Sequence, residues 1–240
     1  MAQPRTPTTL PTEGAAGGPP IMRHPALALV EFDSIAIGIH AADLMVKRAP
    51  IALLKAGTVH PGHYLVLIGG MVAPVTESHG TGVAAGGELL IDEVLLPEVH
   101  PQVHDAALGA RQPLESEALG ILETRTVASL LRAADAGVKG ARVRVAEIRL
   151  ADDLGGRAFV LFDGEIADVE AALAIGSARV PPERLLRCSI LPRLDGTLRG
   201  ALNAGTSFTP CAPFEPDGAE PSDAEARATA PAARRTGRPA

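Results

Sequence analysis

The sequence predicts an α+β protein made of two copies of one small domain, each running β-α-β-β-α-β. The first observation behind this is a repeat: "ALALVEFDSIAIGIHAADLMVKRA" (26–49) lies over "ALGILETRTVASLLRAADAGVKGA" (118–141) at an offset of 118 − 26 = 92. Ala26, Leu27, Glu31, Ala36, Ala41, Ala42, Asp43, Val46, Lys47 and Ala49 recur at Ala118, Leu119, Glu123, Ala128, Ala133, Ala134, Asp135, Val138, Lys139 and Ala141. The second observation is that later blocks repeat in the same order. "HYLVLIGGMVAPV" (63–75) lies over "RAFVLFDGEIADV" (157–169), and "ELLIDEVLLPEVH" (88–100) over "ERLLRCSILPRLD" (183–195). Their offsets drift to 94 and 95, as loop insertions would make them do. The third is that short apolar runs alternate with one helical stripe in both copies. A unit of roughly 85–90 residues present twice is too short a series for a solenoid array.

Each copy opens with an apolar strand (26–32; 118–123) that meets a residue suited to cap a helix, Ser34 or Thr126. The helix that follows has apolar residues at Ile35, Ile39, Ala42 and Val46, mirrored by Val127, Leu131, Ala134 and Val138. The spacing of 4, 3 and 4 predicts one buried stripe in both copies. A second strand (51–59; 143–150) runs through a Gly-containing turn into a third (63–70; 157–163), which Gly70 or Gly164 ends. A short helix (73–85; 167–178) and a fourth strand (88–96; 183–191) follow, closing at Pro97 or Pro192. Residues 101–117 hold a further short helix and the connection. The expected organisation is a first domain over 25–110, a linker over 111–117 and a second domain over 118–205. Residues 1–24 are Pro, Thr and Gly with little to bury, and 206–240 end in Pro, Ala and mixed charge without period. Both read as disordered tails.

Composition excludes several classes of function. The chain of 240 residues has no Trp and a single Tyr, Tyr64, so it offers no aromatic platform for stacking bases. Its net charge of −6 gives no electrostatic reason to expect nucleic acid. Cys188 and Cys211 make neither a disulfide framework nor a CxxC site, which suits a reducing cytosol. The start has no apolar signal core, and no apolar run approaches the ~20 residues that cross a bilayer. A soluble, cytoplasmic protein with no membrane partner is expected. No nucleophile–base pair, phosphate loop or metal-ligand cluster occurs within one domain, so no enzyme activity is expected.

"ALGILETRTVASLLRAADAGVKGARV" resembles the opening of a bacterial microcompartment shell domain, and "SILPRLD" resembles its closing strand and Pro-Arg turn. Two such domains in one chain resemble a tandem-domain shell protein over about 26–200. Together, "LLKAGTVHPGHYLVLIGG", "LLIDEVLLPEVHP" and "VKGARVRV" are most similar to the iron–sulfur-carrying tandem type of propanediol-utilisation compartments. The resemblance implies two ferredoxin-like-type domains and a homotrimer whose six domains mimic a hexameric tile. It also implies a central pore for metabolite or electron passage, and other shell proteins as partners at the tile edge. A cyclic oligomer is the usual closed solution for a duplicated soluble chain. The rival reading is a trimeric ferredoxin-like regulator that binds small molecules at subunit clefts.

The site residues follow from the same resemblance. The turn after the second strand is "HPG" (60–62) in one copy and "DDLGG" (152–156) in the other. In the family this loop faces the central axis. His60, Pro61 and Gly62, with Asp152, Asp153, Leu154, Gly155 and Gly156, are therefore implied to line the pore. The iron–sulfur type has a cysteine before its Pro-Gly. Here His60 stands in that place, and thiolates are the usual cluster ligands, so no cofactor is expected. Plain polar lining of the pore is the reading for His60, with three symmetric imidazoles holding zinc or a similar ion as the alternative. Lys47 and Lys139 follow Asp43 and Asp135 by four residues, the spacing of an intrahelical ion pair. By resemblance they are also tile-edge lysines that reach backbone carbonyls of the next tile. Arg193 matches the family's edge arginine. Its counterpart Glu98 implies that the two kinds of edge contact differ. His63, His79, His100 and His104 lack ligand spacing, and Cys188 is expected as a small core residue.

Overall fold

The computed structural model describes residues 22–208 and 210. The first copy comprises β1 (Ala26–Phe32), α1 (Ile35–Arg48), β2 (Leu53–Val59), β3 (His63–Gly70), α2 (Val72–Gly86) and β4 (Leu90–Leu96). A short helix, α3 (Pro101–Ala107), leads to the second copy. That copy comprises β5 (Ala118–Thr124), α4 (Val127–Gly140), β6 (Arg144–Leu150), β7 (Ala158–Gly164), α5 (Ile166–Ser177) and β8 (Leu185–Leu191), followed by α6 (Gly196–Ala204). Each copy folds one antiparallel sheet, in the order β2-β3-β1-β4 or β6-β7-β5-β8. The duplication extends to local irregularity. The register between the first and last strand slips at Glu31/Phe32 in one sheet and at Glu123/Thr124 in the other.

β1 is buried along its whole length because both of its faces are covered, which its unbroken apolar run requires. Ala26, Ala28, Val30 and Phe32 face α1 and α2 and form a core with Met45, Ile68 and Val75. Leu27 and Leu29 point the other way, and with Leu67, Val94 and Leu96 they join the core of the second domain. The helix pairs approach closely through glycine. A Cβ on Gly137 would sit 2.9 Å from the Ala172 carbonyl oxygen, and one on Gly176 would sit 2.8 Å from that of Ala133.

Two expectations about the helices need correction. The stripe Val127, Leu131, Ala134 and Val138 is buried in α4, as its periodicity predicts. In α1 the equivalent Ile35, Ile39 and Val46 are exposed, and the buried residues are Gly38, Ala41, Ala42 and Met45. The reason is that α4 lies against β1 and β4 of the first domain as well as on its own sheet. Among the described residues, α1 packs on α2 and on β1 and β3 of its own sheet, and no second sheet lies against its outer face. The second correction concerns Thr126, whose side chain does not cap α4. A carboxylate from the other domain does so instead. Ser34, by contrast, accepts from the Ile37 N–H at 3.3 Å, as a cap should.

α3 crosses to the second domain and packs on β6, where Gln102 Oε1 accepts from the Val145 N–H at 2.7 Å. Arg23 and His24, at the end of the expected tail, are tied to α3. Arg23 grips Asp105 at 2.5 Å, and the His24 N–H donates to His104 Nε2 at 3.1 Å. The rest of both expected tails lies outside the described residues, apart from Met22, 206–208 and 210.

Candidate functional site

The β2–β3 and β6–β7 turns are sharp reversals built on backbone that few side chains tolerate. Gly62 has φ 119°, Gly155 62° and Gly156 81°, while Asp153 adopts φ 60°, which a short polar side chain tolerates. The two turns meet within one chain. A Cβ on Gly156 would lie 3.4 Å from the His60 carbonyl oxygen, 3.4 Å from His63 Nδ1 and 3.6 Å from Pro61 Cδ. His60, Pro61 and Gly62 therefore sit beside the Asp152–Gly156 turn at one end of the molecule. Next to them, a cavity of about 110 Å³ is bounded by Lys55, Thr58, Val59, Leu150 and Asp152. His63 Nε2 lies 3.4 Å from Asp33 Oδ1, so that imidazole has a partner on its own chain.

Among the described residues, no group of three or more His, Cys, Asp or Glu side chains is placed to hold a metal ion. The donor set at the turn does not fit a thiolate-held cluster. The turn offers an imidazole, and Cys188 is remote in the fold, half-buried on β8 with its thiol pKa raised by burial. His79 is buried with its Nε2 2.8 Å from Glu93 Oε2, and burial depresses its pKa. His104 is buried between Asp105 and the His24 amide.

The lysines differ between the two copies. Lys47 pairs with Asp43 at 2.6 Å, and both side chains are exposed. Lys139 pairs with Asp135 at 2.6 Å and also donates to the Glu98 carbonyl oxygen at 2.5 Å, across the seam between the domains. It reaches a backbone carbonyl, as the resemblance implies, and that carbonyl belongs to its own chain. Arg193 is almost wholly exposed and lies 3.5 Å from Glu117.

The seam itself carries a polar cluster that was not singled out from the sequence. Glu31, only 2 % exposed, accepts from the Ala128 N–H at 2.5 Å and so caps α4 from the other domain. Burial and the nearby Asp92 carboxylate outweigh the amide bonds and push its pKa up to about 8. Asp92 accepts from the Thr126 and Ser129 hydroxyls, each at 2.6 Å, and pairs with Arg184. Arg184 also donates to the Ile91 carbonyl at 2.9 Å, and Arg132 to that of Glu93 at 2.6 Å. The signal available in the sequence was the recurrence of Glu31 as Glu123 inside otherwise apolar strands.

Comparisons with known proteins agree with this architecture. The family model described as BMC domain matches twice, at residues 26–99 and 118–194. The chain is similar to the bacterial microcompartment shell protein PduT of Citrobacter freundii, at 34% identity over 70% of this chain and 92% of that protein. It is also similar to the carboxysome assembly protein CcmO of Synechocystis sp., at 27% identity over 75% of this chain and 65% of that protein. Among solved structures, a microcompartment protein from Desulfitobacterium hafniense DCB superposes with TM-score 0.64 at 40% identity, covering 73% of this chain and 98% of that one. The two stacked repeats, the shared strand order and the doubled domain match place this chain in the bacterial microcompartment shell family, as a structural tile of the shell with two BMC domains in tandem and not an enzyme.

Proposed function

We propose that the chain works as a homotrimer, a tile in which six domains surround one central opening. The supporting observation is that the chain's exposed surfaces are the repeat partners of its buried ones. α4 is covered by the first sheet, whereas α1, with Ile35, Ile39 and Val46, is uncovered. The first sheet buries Leu29 and Val94, whereas their counterparts Ile121 and Ser189 on the second sheet are at least partly open. α3 is seated on β6, whereas α6 buries no residue and β2 leaves Leu54 exposed. Each open surface has its complement on another copy, and repeating the internal seam head to tail closes a ring of three chains.

In that ring the 60–62 and 152–156 turns of three chains surround the axis. Three imidazoles and six Asp152 and Asp153 carboxylates line the opening, giving it negative character near neutral pH. Such a mouth passes neutral or cationic solutes more readily than anions. A metal ion held by three His60 side chains is a further proposal, which elemental analysis of the purified trimer decides. Lys47, Lys139 and Arg193 are proposed as contacts to neighbouring shell proteins in the bacterial cytoplasm. Light scattering tests the reading. The expected mass is three times that of the 24.7 kDa chain, and a monomer at micromolar concentration contradicts it.

A further inference from the structure

We propose that Glu123 caps helix α1 of a second copy of this chain, which makes it the positioning residue of the contact between chains. The inference rests on the trimer reading and extends it to a residue whose partner lies on another subunit.

Within one chain, Glu31 reaches out of β1 and binds the first-turn amides of α4, accepting from Ala128 at 2.5 Å. Glu123 holds the same place in the second sheet. It is matched to Glu31 by the offset of 92, and it pairs across the ladders with Phe159 and Arg187 where Glu31 pairs with Leu65 and Asp92. Its strand position also carries the same register slip, one residue before Thr124 as Glu31 is one before Phe32. The side chain is 38% exposed, and among the described residues its one ion-pair contact is a long one to Arg157 at 3.8 Å.

The matching helix end is equally open. Ala36 is the repeat partner of Ala128, and α1 begins at Ile35 with no acidic residue in its first turn. Ser34 accepts from Ile37 alone, and among the described residues no side chain accepts from the Ile35 or Ala36 N–H. The first amides of a helix need acceptors, and a carboxylate there also meets the positive end of the helix dipole. Ile35 and Ile39 beside this end are exposed, as an interface requires, while their partners Val127 and Leu131 are buried at the internal seam. The groups facing the two carboxylates differ. Glu31 has Asp92 across the ladder, balanced by Arg184, whereas Glu123 has Arg187. The contact between chains therefore sets the Glu123 side chain, with Arg187 as its ladder neighbour, against a helix end.

The test compares full-length wild type with Glu123→Ala and Glu123→Gln by sedimentation over a concentration series, with hydrogen exchange of α1 read by mass spectrometry. Glu123→Ala is expected to raise the concentration needed for assembly by about tenfold or more and to speed exchange in the first turn of α1. Glu123→Gln, which keeps an acceptor, is expected between the two. Because Glu123 is partly exposed and makes no close ion pair in the single chain, thermal unfolding of the dissociated variants should stay close to that of dissociated wild type. If wild type is trimeric and Glu123→Ala assembles equally well, or if α1 exchange is unchanged, the cap is overturned while the trimer stands. If wild type never assembles, the trimer reading falls and the cap falls with it.

Discussion

At the scale of single residues, Glu31 sets a pH dependence with a definite sign. Its pKa in the folded chain, about 8, lies above the ordinary value of 4.5. The native state holds a proton there that the unfolded chain releases. Its stabilising contribution is therefore fully present below about pH 4.5 and is lost as pH rises through about 8. Glu31→Gln keeps an acceptor for the Ala128 N–H and cannot ionise. Urea midpoints measured across this window should fall with rising pH in wild type relative to the variant; parallel curves would show that Glu31 does not titrate in the native state. Glu31→Ala leaves the amide without an acceptor in a buried seam, at a cost of about 1–3 kcal/mol.

At the scale of elements, the paired helices make opposite predictions for one kind of substitution. Leu131→Asp buries a charge between α4 and the first domain and should unfold the second domain or expose the seam. Ile39→Asp, at the matching place on α1, should leave the isolated chain folded by circular dichroism and abolish assembly in sedimentation. Gly176→Ala should cost about 1–3 kcal/mol, because the new methyl meets the Ala133 backbone where α4 and α5 touch. The urea midpoint reads that cost directly.

These helices also show what the sequence makes legible. Strand order and element limits follow from the repeat, because each apolar run must be buried somewhere and recurs at the same place; all observed strand ends fall within two residues of those expected. The stripe of α1 was readable as apolar, and its period is correct. Burial of that stripe was not readable, because periodicity reports which face needs a partner and not whether the partner lies in the same chain. Thr126 was misread as a cap for a related reason: capping of α4 depends on Glu31, almost a hundred positions upstream, which no local pattern around the helix reveals. The turns at 60–62 and 152–156 were placed by resemblance, and their contact with each other emerges only in three dimensions.

At the scale of the whole molecule, assembly should separate into two steps carried by different residues. Replacing Lys47 with Ala removes an exposed ion pair worth less than about 1 kcal/mol. Replacing Lys139 with Ala in the same chain also removes its bond to the Glu98 carbonyl and takes the cation from the buried Asp135. The trimer should persist, and electron microscopy of overexpressing cells should show loss of the sheets or closed shells expected of wild type. Unchanged assembly would rule out the edge role of both lysines.

The central claim is that the chain's open surfaces are completed by two further copies of itself, and a cryo-electron microscopy structure of the purified particle tests it most directly. The account predicts three chains about one axis, with Ile35 and Ile39 of each α1 buried against β5 and β8 of the next chain and three His60 side chains facing one another across the opening. A particle of one or two chains, or a trimer that leaves α1 in solvent and His60 away from the axis, would contradict it.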